Sequence, residues 1–350
     1  MNKSKISLNG RLIGSDEPCF VIAEVGQAHD GSLGMAHSYI DLAADIGVDA
    51  IKFQTHIASA ESTLNEEFRV KFSLQDSTRY SYWKRMEFSP EQWAGLAEHA
   101  GKRNLIFLSS AFSLQAVDLL NNIGMPAWKI GSGELSNKSL LNAICSTGQP
   151  ILLSTGMSDY AAIEKTVNFV KAQGVDICLF QCTSNYPAPL SNIGLNVMAD
   201  LGQKFGCPIG LSDHSGLIYP ALAAMVLGAS LIEAHIVFDR RMFGPDASSS
   251  LMPDEFLCLT KARDAFHEMK SSPVNKDAIA CNLSEMRTLF GRSVSLVSDM
   301  PSGTIISEDM LTLKKPGNGI PEECIVSLIG RRLKRDVVSE YLLTWDDIDG

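Results

Sequence analysis

The stretch GLSDHSGLIYPALAAMVLGASLIEAHIV, residues 210–237, reads as strand, helix, strand. A short apolar run at 209–211 ends in Ser212, Asp213 and His214. Residues 219–227 form an apolar helical segment closed by Gly228, and 231–237 give a second buried strand carrying Glu233 and His235. In a βαβ unit the two strands are parallel neighbours pointing the same way. His214 and His235 are therefore expected to face each other at the carboxyl ends of adjacent strands. Two imidazoles there suit one divalent metal, with positions left for water or substrate. The plain alternative is a pair of core histidines satisfied by hydrogen bonds.

The same alternation extends towards the N-terminus. Strands are expected at 19–24, 50–54, 105–110, 127–131, 151–154 and 177–182. Helices are expected at 34–46, from Ser89-Pro90 onwards, and at 114–123, 139–146, 159–173, 195–205 and 253–270. Ser89 there is an N-cap and Pro90 the first helical residue. Eight such units over about 250 residues describe an α/β (β/α)₈ TIM barrel. The strands are nearly continuous apolar runs, as when both faces of a sheet are covered. A doubly wound open sheet is the alternative. Residues 55–88 interrupt the pattern with a polar stretch containing Phe68, Phe72, Tyr80, Tyr82 and Trp83; a connection that long is expected to be a lid or an insertion.

Domain limits follow from the change of texture. Residues 1–270 carry the barrel, 271–286 read as a polar linker with Pro273 and Asn275, and 287–350 as a small β-rich domain with turns at Ser302-Gly303 and 316–319. About 60 residues barely supply a core, so this domain is expected to dock on something. Over 350 residues, 45% hydrophobic and 20% charged is ordinary globular composition. A net charge of −10 without a basic run argues against a nucleic-acid surface, but leaves room for an anionic substrate in a locally positive site. The eight cysteines form no CxxC pair, and several stand inside apolar runs, as reduced core thiols do. The opening MNKSKISLNGRLIG has no apolar stretch behind its lysines, and no run reaches membrane-spanning length, so a cytoplasmic protein is expected.

Catalytic groups of such barrels sit at the carboxyl ends of the strands. Here those ends supply Glu24; Lys52 and Gln54; Ser109 and Ser110; Lys129, Ser132, Gly133 and Glu134; Ser154; Ser184 and Tyr186; Ser212 and His214; and His235. Lysines give point charge, while hydroxyls and glycine N–H groups give directed donors, a set suited to phosphate and carboxylate together. Each has a plainer reading alone: a snorkelling lysine, or glycines required by turns.

The segments EVGQAHDGS, IKFQTH, FLSSAFS, WKIGSGE, ILLSTGM, QCTSNYPAP, IGLSDHS, IEAHIVFDR and GPDASSSLMPDEF resemble the sialic acid synthase family (N-acetylneuraminate, legionaminate and pseudaminate synthases and SpsE-like proteins). LKKPGNGI and IGRRLKRD resemble that family's C-terminal antifreeze-like (SAF) domain. The resemblance implies a phosphoenolpyruvate-dependent synthase acting on an N-acylated mannosamine-type sugar. His214 and His235 would hold Mn²⁺, with Mg²⁺ or Co²⁺ as the other candidates. Lys52, Ser110, Lys129, Ser132, Ser154, Ser184 and Ser212, with Gly133 in the same turn, would cradle phosphoenolpyruvate. Glu24, Glu134, Tyr186 and Asp246 would surround the sugar, with Glu24 or Glu134 orienting the water and Glu134 alternatively only buttressing its turn. The SAF domain of a second copy would close the site in a domain-swapped homodimer, through Lys315.

Three departures stand out. Ala28 occupies a position where the family commonly has Asn, Lys315 stands for an Arg that reaches the sugar's N-acyl group, and Ser184 replaces an Asn. Lysine lacks the planar fork of arginine, so an acceptor other than N-acetylmannosamine is expected, such as a 6-deoxy-diacetamido hexose or a spore-coat polysaccharide precursor. The rivals are a phosphoenolpyruvate-dependent deoxy-sugar-phosphate synthase, a metal hydrolase, which would need more ligands than two histidines, and a sugar-binding scaffold that has lost its chemistry.

Overall fold

The computed structural model describes residues 5–70 and 72–349. The chain divides into two compact units, the first ending at Ser271 and the second beginning at Ser272. The first opens with a hairpin of β1 (Ile6–Leu8) and β2 (Arg11–Ile13). Then follow β3 (Phe20–Gly26), β4 (Ala50–Thr55), β5 (Ile106–Ala111), β6 (Trp128–Ile130), β7 (Ile151–Ser154), β8 (Ile177–Cys182), β9 (Ile209–Asp213) and β10 (Leu231–His235). These eight close into a barrel in the order β10-β3-β4-β5-β6-β7-β8-β9, each pair parallel. The expected barrel is thus the observed one, and the open sheet is excluded by the β10–β3 pairing.

Period-two alternation decides what the barrel holds. One set of side chains, including Val21, Ala23, Ile51, Phe53, Leu153 and Leu179, packs outwards in the core shared with the surrounding helices. The other set forms a separate apolar cluster of Phe20, Ile22, Ala50, Leu108, Ala127, Leu152, Cys178, Phe180 and Leu231 inside the barrel. Ile6, Leu8 and Ile13 of the hairpin belong to this inner cluster, so the hairpin closes the barrel's amino-terminal end. Two residues further along the same strands come Glu24, Lys52, Ser110, Lys129, Ser154, Cys182 and Glu233. The interior is therefore an apolar floor beneath a polar layer.

The hairpin is missing from the sequence reading, although its signal was present. Asn9 and Gly10 adopt φ of 48° and 82°, the left-handed pair that a tight hairpin turn requires. The described residues of 55–88 include two short helices, Ala58–Glu61 and Arg79–Met86. Tyr82, Trp83, Met86 and Ala58 form a small core there with Phe68, Phe72 and Tyr80. Arg85 fastens this excursion to the loop after β3, pairing with Asp30 and Asp76 at 2.7 Å each. Gly31 in that loop has φ of +77°, and a Cβ there would meet the Arg85 carbonyl oxygen at 2.4 Å.

The polar linker expected at 271–286 carries the helix Lys276–Asn282 and the first three residues of the helix Ser284–Phe290. Its polar composition reflects a helix pair exposed on nearly every side, not a lack of structure. Cys258 and Cys281 are likewise exposed rather than core thiols, while Cys19, Cys145, Cys178 and Cys182 are buried. In the second unit β11 (Ser293–Leu296) pairs antiparallel with β12 (Leu311–Lys314) over a core that includes Val294, Leu296, Ile306, Leu328, Leu333 and Leu343. Among the described residues no helix is long and apolar enough to cross a membrane.

Leu8 is fully buried on the barrel floor. Leu8→Ala is expected to cost about 2–5 kcal/mol by leaving a cavity, read as a lower urea midpoint, with the polar layer above still able to bind its ligands.

Candidate functional site

Above the apolar floor lies a cavity of about 370 Å³, lined among others by Glu24, Lys52, Ser110, Lys129, Ser154, Ser212, His214, Glu233 and His235. Its base is a cluster of four buried charges. Lys52 Nζ lies 2.6 Å from Glu24 Oε2 and 3.7 Å from Glu233 Oε2. Lys129 Nζ lies 3.0 Å from Glu233 Oε1 and donates to Ser154 Oγ at 2.9 Å. Ser212 Oγ donates to Glu233 Oε1 at 3.1 Å, and Lys52 Nζ to Ser110 Oγ at 3.4 Å. Burial would push the Glu233 carboxyl up, but Lys129 and then Lys52 override it and hold it down at about 2. Burial would lower Lys52, yet Glu233 and Glu24 outweigh it and raise it above its ordinary value. Lys52 and Lys129 thus stand among serine hydroxyls at the base of the cavity, the arrangement expected for an anion site.

The two histidines do meet. Their ring centroids are 5.4 Å apart, a spacing that one ion at about 2.1 Å from a nitrogen of each ring can bridge. His214 Nδ1 is 3.0 Å from the Thr183 carbonyl oxygen, so Nδ1–H donates and Nε2 keeps its lone pair, which accepts from Tyr186 Oη at 3.1 Å. Burial, followed by the neighbouring His235, pushes His214 down to about 3, leaving it neutral and fit to bind a metal. The His235 ring makes no hydrogen bond among the described residues, so the reading of two satisfied core histidines holds for only one of them. Among the described residues no third His, Cys, Asp or Glu completes a cluster. The donor set therefore fits an ion with its remaining positions open. Asp213, next in sequence, is committed elsewhere: it accepts from Ser215 Oγ at 2.7 Å.

The remaining expected residues divide. Ser132, Gly133, Ser184, Tyr186 and Asp246 line the cavity, and Ser132 Oγ accepts from Gly156 N–H at 3.0 Å. Glu134 is outside the lining: its Oε2 accepts from Asn137 Nδ2 at 2.7 Å, just before the helix Lys138–Cys145. Here it buttresses the turn, the second of the two roles expected for it. Lys315 lies in the second unit, exposed, its Nζ 5.2 Å from the Phe290 ring centre. Ala28 packs against the barrel–helix core and does not line the cavity.

Several lining residues were not expected in the site. Glu233 was noted on its strand but given no role there, although it sits two residues before His235 on the same face. Cys182 follows by the same rule on β8. Arg69 was not readable: it comes from the 55–88 excursion, donates to Asp246 Oδ1 at 2.7 Å, and lies 4.1 Å over the Tyr186 ring.

Comparison with known proteins gives a consistent neighbourhood. Residues 39–274 match the model of the NeuB family, and residues 291–349 that of the SAF domain. The chain is 34% identical to N,N'-diacetyllegionaminic acid synthase of Legionella pneumophila over 96% of both chains. It is 33% identical to human N-acetylneuraminate-9-phosphate synthase over 93% of this chain and 91% of that one. Among solved structures, the N-acetylneuraminic acid synthetase of Leptospira borgpetersenii superposes with a TM-score of 0.71 at 29% identity, covering 82% of this chain and 98% of the other.

Removing one partner from a buried ion cluster typically costs about 3–5 kcal/mol, so Glu233→Gln should lower the unfolding free energy at pH 7 by that order. The Glu233 carboxyl is depressed from 4.5 to about 2. Between those values the unfolded chain binds the proton that the folded chain refuses, so wild-type stability falls as pH falls. The gap between wild type and variant, measured by urea unfolding, should therefore narrow from pH 5 to pH 2.

Proposed function

Because this chain belongs to the NeuB family, with an SAF domain behind its barrel, we propose that it is a nonulosonic (sialic-type) acid synthase. It condenses phosphoenolpyruvate with an N-acylated mannosamine-type or related amino-deoxy hexose, giving a 2-keto-3-deoxy sugar acid and phosphate, in the cytoplasmic part of surface polysaccharide biosynthesis. The observation that carries this reading is the pairing of Lys52 and Lys129 with a ring of serine hydroxyls in one cavity beside two histidines.

Lys52, Lys129 and the hydroxyls of Ser110, Ser132, Ser154, Ser184 and Ser212 hold the carboxylate and phosphate. The C2=C3 electron pair of phosphoenolpyruvate forms a bond from C3 to the acceptor's aldehyde carbon, the C=O π pair passes to the aldehyde oxygen, which takes up a proton, and positive charge develops at C2. Water adds at C2, its proton taken by Glu24, which Lys52 holds at 2.6 Å. The tetrahedral intermediate then breaks its C2–O bond and releases phosphate. His214 and His235 would hold a divalent ion, Mn²⁺ by preference, which when bound supplies Lewis acidity to the aldehyde. Tyr186, Asp246 and Arg69 face the acceptor. Lys315 and Ser184 shift acceptor choice away from N-acetylmannosamine, because an ammonium does not reproduce the bidentate grip of a guanidinium.

The helix pair at 276–290 exposes Ile279, Leu283, Met286 and Phe290 at helical spacing. Such a face is covered in a homodimer, whose partner SAF domain closes the cavity by domain swapping. Leu283→Asp with Met286→Asp should convert a dimer to a monomer in light scattering after gel filtration; a wild-type monomer would sink this part of the reading.

The deciding experiment is phosphate release from phosphoenolpyruvate with Mn²⁺ across a panel of free N-acylated hexoses, with product masses read in parallel. Release with a diacetamido sugar, and a product mass equal to its pyruvate adduct, is the expected outcome. Preference for N-acetylmannosamine would overturn the acceptor assignment, and folded, metal-loaded protein that releases no phosphate would favour a scaffold. Chelation should abolish release and Mn²⁺ restore it, while His235→Gln should lose metal binding in calorimetry.

A further inference from the structure

Lysine is not the only group that holds Glu24. Gln54 Nε2 donates to Glu24 Oε1 at 2.8 Å. Gln54 Oε1 accepts from Gln27 Nε2 at 3.1 Å and lies 3.3 Å from His56 Nε2. On the far side of the ring, His56 Nδ1 is bonded to Glu61 Oε1. The imidazole is clamped flat between Trp83, at 3.8 Å and 16°, and Phe112, at 4.4 Å and 6°. His56 is buried, and it does not line the cavity.

The bonding pattern has only one consistent set of protons. An amide offers acceptors on one side and donors on the other. The Gln54 carbonyl faces His56, so His56 Nε2 carries a proton. Its Nδ1 faces a carboxylate oxygen, so a second proton lies between Nδ1 and Glu61. If Nε2 were bare, the Gln54 amide would turn over and set its carbonyl oxygen against a Glu24 oxygen, two acceptors in contact in a buried site. The stacked rings forbid the imidazole from rotating away.

We propose that His56 and Glu61 are a positioning pair: they fix the orientation of the Gln54 amide and, through it, the Glu24 carboxylate at the reacting carbon. Glu61 and Trp83 both belong to the 55–88 excursion, so the clamp also couples the ordering of that excursion to the readiness of Glu24. This rests on the synthase reading, in which Glu24 takes the proton from water.

Three variants separate positioning from mere packing. His56→Phe keeps a ring between Trp83 and Phe112 but removes both donors. His56→Gln returns one N–H towards Gln54, and Glu61→Gln keeps an acceptor for Nδ1. With the acceptor that supports release, His56→Phe should lower kcat about 10- to 100-fold, as loss of a supporting hydrogen-bond partner does, while the KM for phosphoenolpyruvate moves less than about threefold. His56→Gln and Glu61→Gln should each recover part of kcat. Independently of turnover, ¹⁵N-histidine NMR at neutral pH should show the His56 Nε2 resonance protonated, with the assignment made by its loss in His56→Phe or His56→Gln. A bare Nε2, or a His56→Phe variant with wild-type kcat, would overturn the proposal. If the wild type itself releases no phosphate, the synthase reading fails, and the ring-nitrogen signal alone decides the hydrogen-bond assignment.

Discussion

Glu233 stands between Lys129 and Lys52 inside a barrel whose lower end is sealed by apolar side chains. A carboxylate and two ammonium groups buried this far gain little from solvent, so each is paired with the others and with serine hydroxyls. This constraint fixes the lysine stems in the barrel interior. It also settles the order of layers along the barrel axis. Everything below the cluster must exclude water, and everything above it can be wet.

The floor and the roof of the cavity come from parts of the chain that lie outside the eight-fold repeat. The hairpin at the N-terminus fills the barrel's lower mouth with Ile6, Leu8 and Ile13. The 55–88 excursion supplies Arg69, Phe72, Tyr82 and Trp83 to the cavity wall. It is anchored through Arg85 to Asp30 and through the His56 clamp to the end of β4. The repeat makes a scaffold open at both ends; these two additions make a chamber.

How legible this was depended on how local the signal is. The strand-end lysines, serines and histidines were readable because parallel strands are buried on both faces, so a polar residue inside an apolar run has to serve a site or break the core. His214 and His235 could be brought together because a βαβ unit admits one relative arrangement of its strands. Glu134 was less legible, for the opposite reason. The WKIGSGE turn places it beside Ser132 and Gly133, yet whether such a carboxylate enters the cavity depends on the turn's conformation, and here Asn137 takes it. Lys315 belongs to the second unit.

The sequence by itself determined the barrel, the succession of its strands and the type of residue at each strand end. Those features rest on period-two burial and on short connections, which act over a few neighbouring residues. Only the tertiary structure decided which carboxylate holds the lysines, that Arg69 reaches Asp246 across 177 positions, and that His56 orients Glu24 through an amide. Such contacts depend on where a long excursion settles and on which way a hydrogen-bonding group turns. Both are set by the packing of the whole domain rather than by any local pattern.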